Sequence, residues 1–181
     1  MPPELGPTGY QWTFVALEYY ALILNRTYKV FVTDDHLCGA IVRGPLPSPV
    51  GSLDAWYDPD FYPRERLLRR YAGLDVHSRD FARVNYWNFQ WPRSMLADVK
   101  LNMRPKWGMG RVPYSGRLIL HLRRGGSQEL ILLGVQDGPT IRDRLRPLHV
   151  GARSAWWQRL LPGPAGLPDG ATNAAVAHDA G

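Results

Sequence analysis

Cysteine is almost missing from this chain: among 181 residues only Cys38 occurs, which excludes an internal disulfide and any multi-cysteine metal site. Lysine is nearly as scarce, at positions 29, 100 and 106 alone, so arginine carries almost all of the positive charge behind a formal net charge of +6. With the abundant Ala, Gly and Pro, this arginine excess reads first as the codon bias of a GC-rich genome, and much of it as ordinary solvated surface. Long hydrophobic runs are also absent. No apolar stretch approaches the roughly 20 residues needed to span a bilayer. The opening Met1-Pro2-Pro3-Glu4 has neither the charged nor the apolar segment of a secretory leader, which makes the cytoplasm the expected compartment. Without secretion, the sequon Asn25-Arg26-Thr27 carries no meaning.

Catalytic signatures are missing as well. Neither the G-x-S-x-G elbow nor the P-loop pattern occurs. The histidines at 36, 77, 121, 149 and 178 are scattered without zinc-ligand spacing. Asp54, Asp58 and Asp60 lack the spacing and glycine of a calcium loop and read as turn formers. Cys38 lies in the apolar run Leu37–Val42 and reads as a small buried hydrophobe; a nucleophilic role would need a base such as His36 or His121 beside it. No catalytic residue, metal or cofactor is expected.

What is present is a core. Hydrophobic residues make up 45% and aromatics 12%, far from the profile of a disordered chain. Residues 1–9 are rich in Pro and Gly and read as a poorly anchored arm, with 1–19 as arm and lead-in together. Tyr10–Asn25 is apolar without a dominant period, and extended structure is expected near Ala21–Leu24. Tyr28–Thr33 and Leu37–Arg43 read as strands joined by the turn Asp34-Asp35-His36, with Gly39 marking a bulge or a close backbone approach. Residues 44–90 read as an insertion. It opens on Gly44-Pro45-Leu46-Pro47-Ser48-Pro49 and holds a helix from Pro63 to about Ala72, ended by Gly73. Strands return at Leu96–Met103, Arg117–Leu122 and Glu129–Leu133, and Leu130-Ile131-Leu132-Leu133 suggests burial on both faces. Asp137-Gly138-Pro139-Thr140 then starts a helix carrying Ile141, Leu145 and Leu148 on one face. Trp156, Trp157, Leu160 and Leu161 follow, and residues 151–181 read as an aromatic segment and a disordered tail.

This order gives a mainly β chain with α, a bent antiparallel sheet sandwich or partly open barrel capped by a C-terminal helix. It resembles the pleckstrin-homology-like superfold over residues 20–150. Tyr28–Asp35, Arg117–Leu122, Glu129–Gly134 and the helix from Pro139 carry the resemblance. The resemblance implies a module for lipid headgroups or peptides. Phosphoinositide-binding members place basic residues around the first hairpin, whereas the turn here is Asp34-Asp35-His36 with only Lys29 and Arg43 flanking it.

The segment Arg104-Pro105-Lys106-Trp107-Gly108-Met109-Gly110-Arg111 is the candidate binding site. Arg104, Lys106 and Arg111 suit anionic groups, Trp107 and Met109 suit an apolar surface, and the glycines allow close approach. Arg64, Arg66, Arg69 and Arg70 read as a solvated helix face, and Tyr86–Trp91 as an aromatic segment packed on the sheet rather than a base-stacking platform. The expectation is a non-catalytic recruitment module with a protein partner, through strand addition at a sheet edge or a groove beside the terminal helix. Attachment to anionic lipid at the membrane surface is second; nucleic acid, supported by net charge alone, is third, and an enzyme of unrecognised type is the last alternative.

Overall fold

The computed structural model describes residues 6–20, 24–46 and 54–147. Seven strands form one antiparallel sheet: β1 (Trp12–Tyr19), β2 (Asn25–Val32), β3 (His36–Arg43), β4 (Phe89–Pro92), β5 (Leu96–Asn102), β6 (Tyr114–Leu122) and β7 (Ser127–Leu133). Their spatial order is β4-β3-β2-β1-β7-β6-β5, so two meanders meet at β1 and β7. The sheet curls into a half-barrel, and the helix α3 (Gly138–Leu145) packs Ile141 and Leu145 into its inside. Asp137 caps that helix, its carboxylate accepting from Thr140 N at 3.0 Å.

The central strands are buried on both faces. Phe14 and Ala16 of β1 join Tyr28, Val30, Leu118, Leu120, Leu130 and Leu132 in the inner core. Val15 and Leu17, on the opposite face, pack with Ile131, Leu133, Trp56 and Tyr62. Farther along the outer face, Phe31, Cys38, Ala40 and Val42 are covered by Tyr71, Val76 and Phe81. The insertion supplies that outer cover through short pieces: 3-10 turns at Asp54–Tyr57 and Pro59–Phe61, α1 (Glu65–Leu68) running into a 3-10 turn at Arg69–Tyr71, and α2 (Arg79–Arg83). Burial pushes the Cys38 thiol up to about 12, with the charges of Asp35 and Asp75 adding to the effect, so it stays a neutral, inert core group. Leu130 to Leu133 are indeed buried on both faces.

Several expectations are corrected. Residues 12–19 are no lead-in: β1 is the middle strand of the sheet, with β2 on one side and β7 on the other. Of the arm before it, the described residues 6–9 are anchored, because Thr8 N donates to Leu74 O at 2.8 Å and Val76 N to Thr8 O at 3.1 Å. Of the aromatic segment expected to pack on the sheet, Phe89 to Trp91 belong instead to the edge strand β4, paired with β3 from His36 to Gly39. The helix expected from Pro63 starts after Arg64 and tightens to 3-10 geometry at Arg69, which turns Tyr71 into the core while Leu67 and Leu68 stay half-buried. Asn25 and Thr27 of the sequon are themselves buried. Residues 21–23, Leu148 and the aromatic segment at 156–161 lie outside the described residues. No helix among the described residues is long and apolar enough to cross a membrane.

β1 and β7 pair directly only at Ala16↔Leu132 and Leu17↔Ile131. The Gln136 side chain extends this seam: Val15 N donates to its Oε1 at 3.0 Å, and its Nε2 donates to Val15 O at 2.8 Å and to Leu133 O at 2.6 Å.

Gly39 marks a close approach rather than a bulge. A Cβ there would lie 2.1 Å from the Phe89 ring, which is stacked on Trp91 at 3.9 Å and cannot retreat cheaply. Gly39→Ala is therefore expected to destabilise the protein by about 2–3 kcal/mol in urea unfolding. At Gly44 a Cβ meets nothing within 4 Å, and Gly44→Ala is expected to stay within about 0.5 kcal/mol of the parent.

Candidate functional site

The inside of the curled sheet changes character along β1. At the Trp12 end it lies beside α3, the Arg144 guanidinium resting 5.4 Å from the Trp12 ring centroid. Toward the other end, alternate inner positions run Phe14, Ala16, Glu18 on β1, Val30, Tyr28, Arg26 on β2, and Leu132, Leu130, Gln128 on β7. β1 and β2 thus switch from apolar to polar residues at one level, and β7 switches one inner position further along. Glu18 and Arg26 are direct cross-strand partners. Arg26 Nε donates to Glu18 Oε2 at 2.5 Å, Tyr28 Oη lies 3.1 Å from the same oxygen, and Gln128 Nε2 donates to Oε1 at 2.5 Å. The two charged side chains are only 12% and 15% exposed.

Aromatic rings frame this ion pair. The Arg26 guanidinium lies 4.0 Å from the Trp87 ring centroid and 4.6 Å from that of Tyr20. Trp87 arrives from the end of the insertion on a loop held in place by Asn88. Asn88 Nδ2 donates to Phe81 O at 2.9 Å, and Asn88 Oδ1 accepts from Ile41 N and from Tyr71 Oη. The result is a cleft of about 280 Å³ lined by Glu18, Arg26, Tyr28, Tyr86, Trp87, Asn88, Phe89, Trp91 and Leu130. Its rim stays open: Tyr20 is 47% exposed, Trp87 50% and Tyr86 88%. Arg26 Nη1 is buried with no hydrogen-bond partner among the described residues.

Chemically the cleft offers aromatic faces, a guanidinium and a phenol. Burial, reinforced by Glu18, raises the Tyr28 phenol well above its ordinary value and keeps it a protonated donor, the opposite of an activated base or nucleophile. A space of this size takes a side chain or two and falls short of the usual range for cofactor pockets. A larger cleft of about 380 Å³ beside α3 is lined by Gln136 and Asp137, whose polar groups already serve the β1–β7 seam and the helix cap.

The structure divides the residues singled out at 104–111. Met109 is buried against the outer face of the sheet with Val112. Lys106 pairs with Glu129, which also accepts from Arg117 Nη1 at 2.7 Å, and its ammonium lies 5.5 Å from the Tyr19 ring centroid. Both are structural. Arg104 and Arg111 remain exposed, and Trp107 is 79% exposed beside a left-handed turn at Gly108. On the insertion, Arg69 bonds Glu65 and Arg70 donates to Val84 O, as a solvated helix face would. Asp58 caps the turn Pro59–Phe61 by accepting from Asp60 N.

Sequence reasoning missed the cleft because its parts come from β1, β2, β7, β4 and the loop before it. One signal was readable: Glu18 and Arg26 sit at equal distances from the centre of the first hairpin turn, on the faces that carry Ala16 and Tyr28. No family model, no curated protein and no solved structure matches the chain.

Removing one member of the ion pair strands the other in a nearly dry setting. Glu18→Ala is expected to cost about 3–5 kcal/mol in urea unfolding, and Glu18→Ala combined with Arg26→Met to recover most of it. A loss in the double variant equal to the sum of the Glu18→Ala and Arg26→Met losses measured separately would show that the pair is not coupled.

Proposed function

We propose that this chain is a non-catalytic recruitment module of pleckstrin-homology-like type, which takes a segment of a partner protein into the cleft between Trp87, Tyr20 and Arg26. The curled antiparallel sheet with a C-terminal helix against its inside supports the architectural half of this reading. The functional half rests on one observation: two half-exposed rings and the fully open Tyr86 surround a guanidinium that is already clamped. Tyr, Trp and Arg are the residue types that dominate binding energy at protein interfaces, and a rigid Arg loses little entropy on binding. An apolar or aromatic side chain of the partner would fill the cleft, and a carbonyl or carboxylate would meet Arg26 Nη1.

Strand addition is less favoured by the sheet edges. On β5, Asp98 folds its carboxylate back onto Val99 N at 2.8 Å, and the register shifts between Leu96 and Asp98. On the other edge, β4 has four residues and ends at Pro92. A phosphate backbone is also a poor match, because among the described residues Arg26 is the one cation lining the cleft and already faces Glu18.

A second reading, contact with anionic lipid, draws on a different surface. Trp107 at 79% and Met103 at 61% exposure stand beside exposed Arg104 and Arg111.

Selection of a random peptide library displayed on phage against the purified protein tests the first reading. Enriched peptides are expected to bind Trp87→Ala about 30-fold more weakly or worse, with the fold retained by circular dichroism. Absence of enrichment, or equal binding to Trp87→Ala, overturns it. For the second, salt-sensitive flotation with anionic but not neutral vesicles, lost in Trp107→Ala, is the expected outcome. No flotation removes lipid from consideration.

A further inference from the structure

The β2–β3 turn is tightly specified. Thr33 N donates to His36 O at 3.0 Å, His36 N to Thr33 Oγ1 at 2.9 Å, and Thr33 Oγ1 to Asp35 Oδ1 at 2.8 Å. A second segment, Leu74–Ser78 of the insertion, is brought against it. Val76 is fully buried, and its carbonyl and that of Ser78 both accept from Gln90 Nε2, at 2.6 and 2.9 Å. His77 N donates to Asp75 Oδ1 at 2.8 Å, which orients the residue. The two segments bring Asp35 Oδ1 to 3.0 Å from His36 Nδ1 and 3.9 Å from His77 Nε2. The imidazole centroids are 5.1 Å apart, edge to face. One ligand-type atom from each of Asp35, His36 and His77 lies within 4.8 Å of the other two.

We propose that Asp35, His36 and His77 bind a divalent cation of the zinc class. The donor set is two imidazole nitrogens and one carboxylate oxygen, three protein ligands with a fourth position left for water. Calcium and magnesium prefer all-oxygen sites, so the two nitrogens select borderline ions. The spacing is close to what is needed. Tetrahedral bonds of about 2.0–2.1 Å put donor atoms about 3.3 Å apart, between the 3.0 and 3.9 Å seen here. His77, which is partly exposed, is the ligand that would move in to close the difference.

Two further observations point the same way. His36 Nδ1 is buried and, although near Asp35, lacks a hydrogen bond of acceptable geometry; a cation would satisfy its lone pair. Thr33 Oγ1 donates to the same Asp35 oxygen that faces both imidazoles and so orients the carboxylate, the support that metal-binding carboxylates generally have. A bound ion would rivet the hairpin to the insertion that covers the outer face of β2 and β3, so binding must appear as stability. A plain histidine–carboxylate ion pair is the competing account, and the experiment separates the two.

Full-length, untagged protein is stripped with a chelator and titrated with Co²⁺ and Zn²⁺. Expected are one equivalent bound, visible absorption of a low-symmetry four-coordinate Co²⁺ site, and a higher thermal midpoint with Zn²⁺. His77→Ala and Asp35→Asn should each weaken Co²⁺ binding at least about 10-fold, whereas His121→Ala should leave it unchanged. The exposed Asp35→Asn keeps the test informative should His77→Ala disturb folding. Absence of Co²⁺ absorption and Zn²⁺ stabilisation in the parent overturns the proposal. So does unchanged binding in both Asp35→Asn and His77→Ala, which would assign any bound metal to other histidines.

Discussion

Two-sided burial of the central strands is the constraint on which the rest of the molecule depends. A sheet facing water on one side can stand on a single core, but β1, β2, β3 and β7 each carry apolar side chains on both faces. The inner face is filled by the curl itself and by α3. Among the described residues no second sheet meets the outer face, and the segment between β3 and β4 covers most of it, with Met109 and Val112 beside it. That role explains why the insertion is irregular. Its short turns each deliver one large ring or branched chain, Trp56, Tyr62, Tyr71, Val76 and Phe81, to a particular place on the outer face. It also explains why Trp87 and His77 end up where they do: both ride on a segment whose path is set by packing.

The same constraint decides how much of the fold was legible in the sequence. β2, β3, β5, β6 and β7 could be read, because β-branched and aromatic residues cluster between clear turn signals. β1 could not. Phe14 and Ala16 face inward while Val15 and Leu17 face outward, so the alternation that marks a half-buried strand is erased. β4 was hidden for another reason: four residues ending in proline carry too little pattern to tell an edge strand from a loop. The terminal helix was readable from its cap, since Asp137 and Pro139 act locally.

The candidate site was less legible than the fold. Composition drew attention to 104–111, where cations, Trp and Met lie side by side. Chain neighbours need not share an environment, and here Met109 turns inward, Lys106 is claimed by Glu129, and only Trp107 and the two arginines face solvent. The cleft shows the converse. Glu18, Arg26, Gln128 and Trp87 are unremarkable one at a time and become a site only through strand register, which requires β1 to be recognised first. The pairing of His36 with His77 has no sequence signature at all, because the spacing between them is set by packing rather than by the period of a helix or strand.

The narrow β1–β7 seam has a consequence for how the molecule assembles. Each meander, β1 to β3 and β5 to β7, joins neighbours through local hairpins whose loops close at small entropic cost. The seam joins Val15 to Gln136, 121 positions apart, and rests on two residue pairs and one side-chain amide. Search time in folding therefore concentrates there. Two preformed halves must find each other, and the Gln136 amide acts as a latch that adds backbone-like bonds at the step where the ladder itself offers fewest.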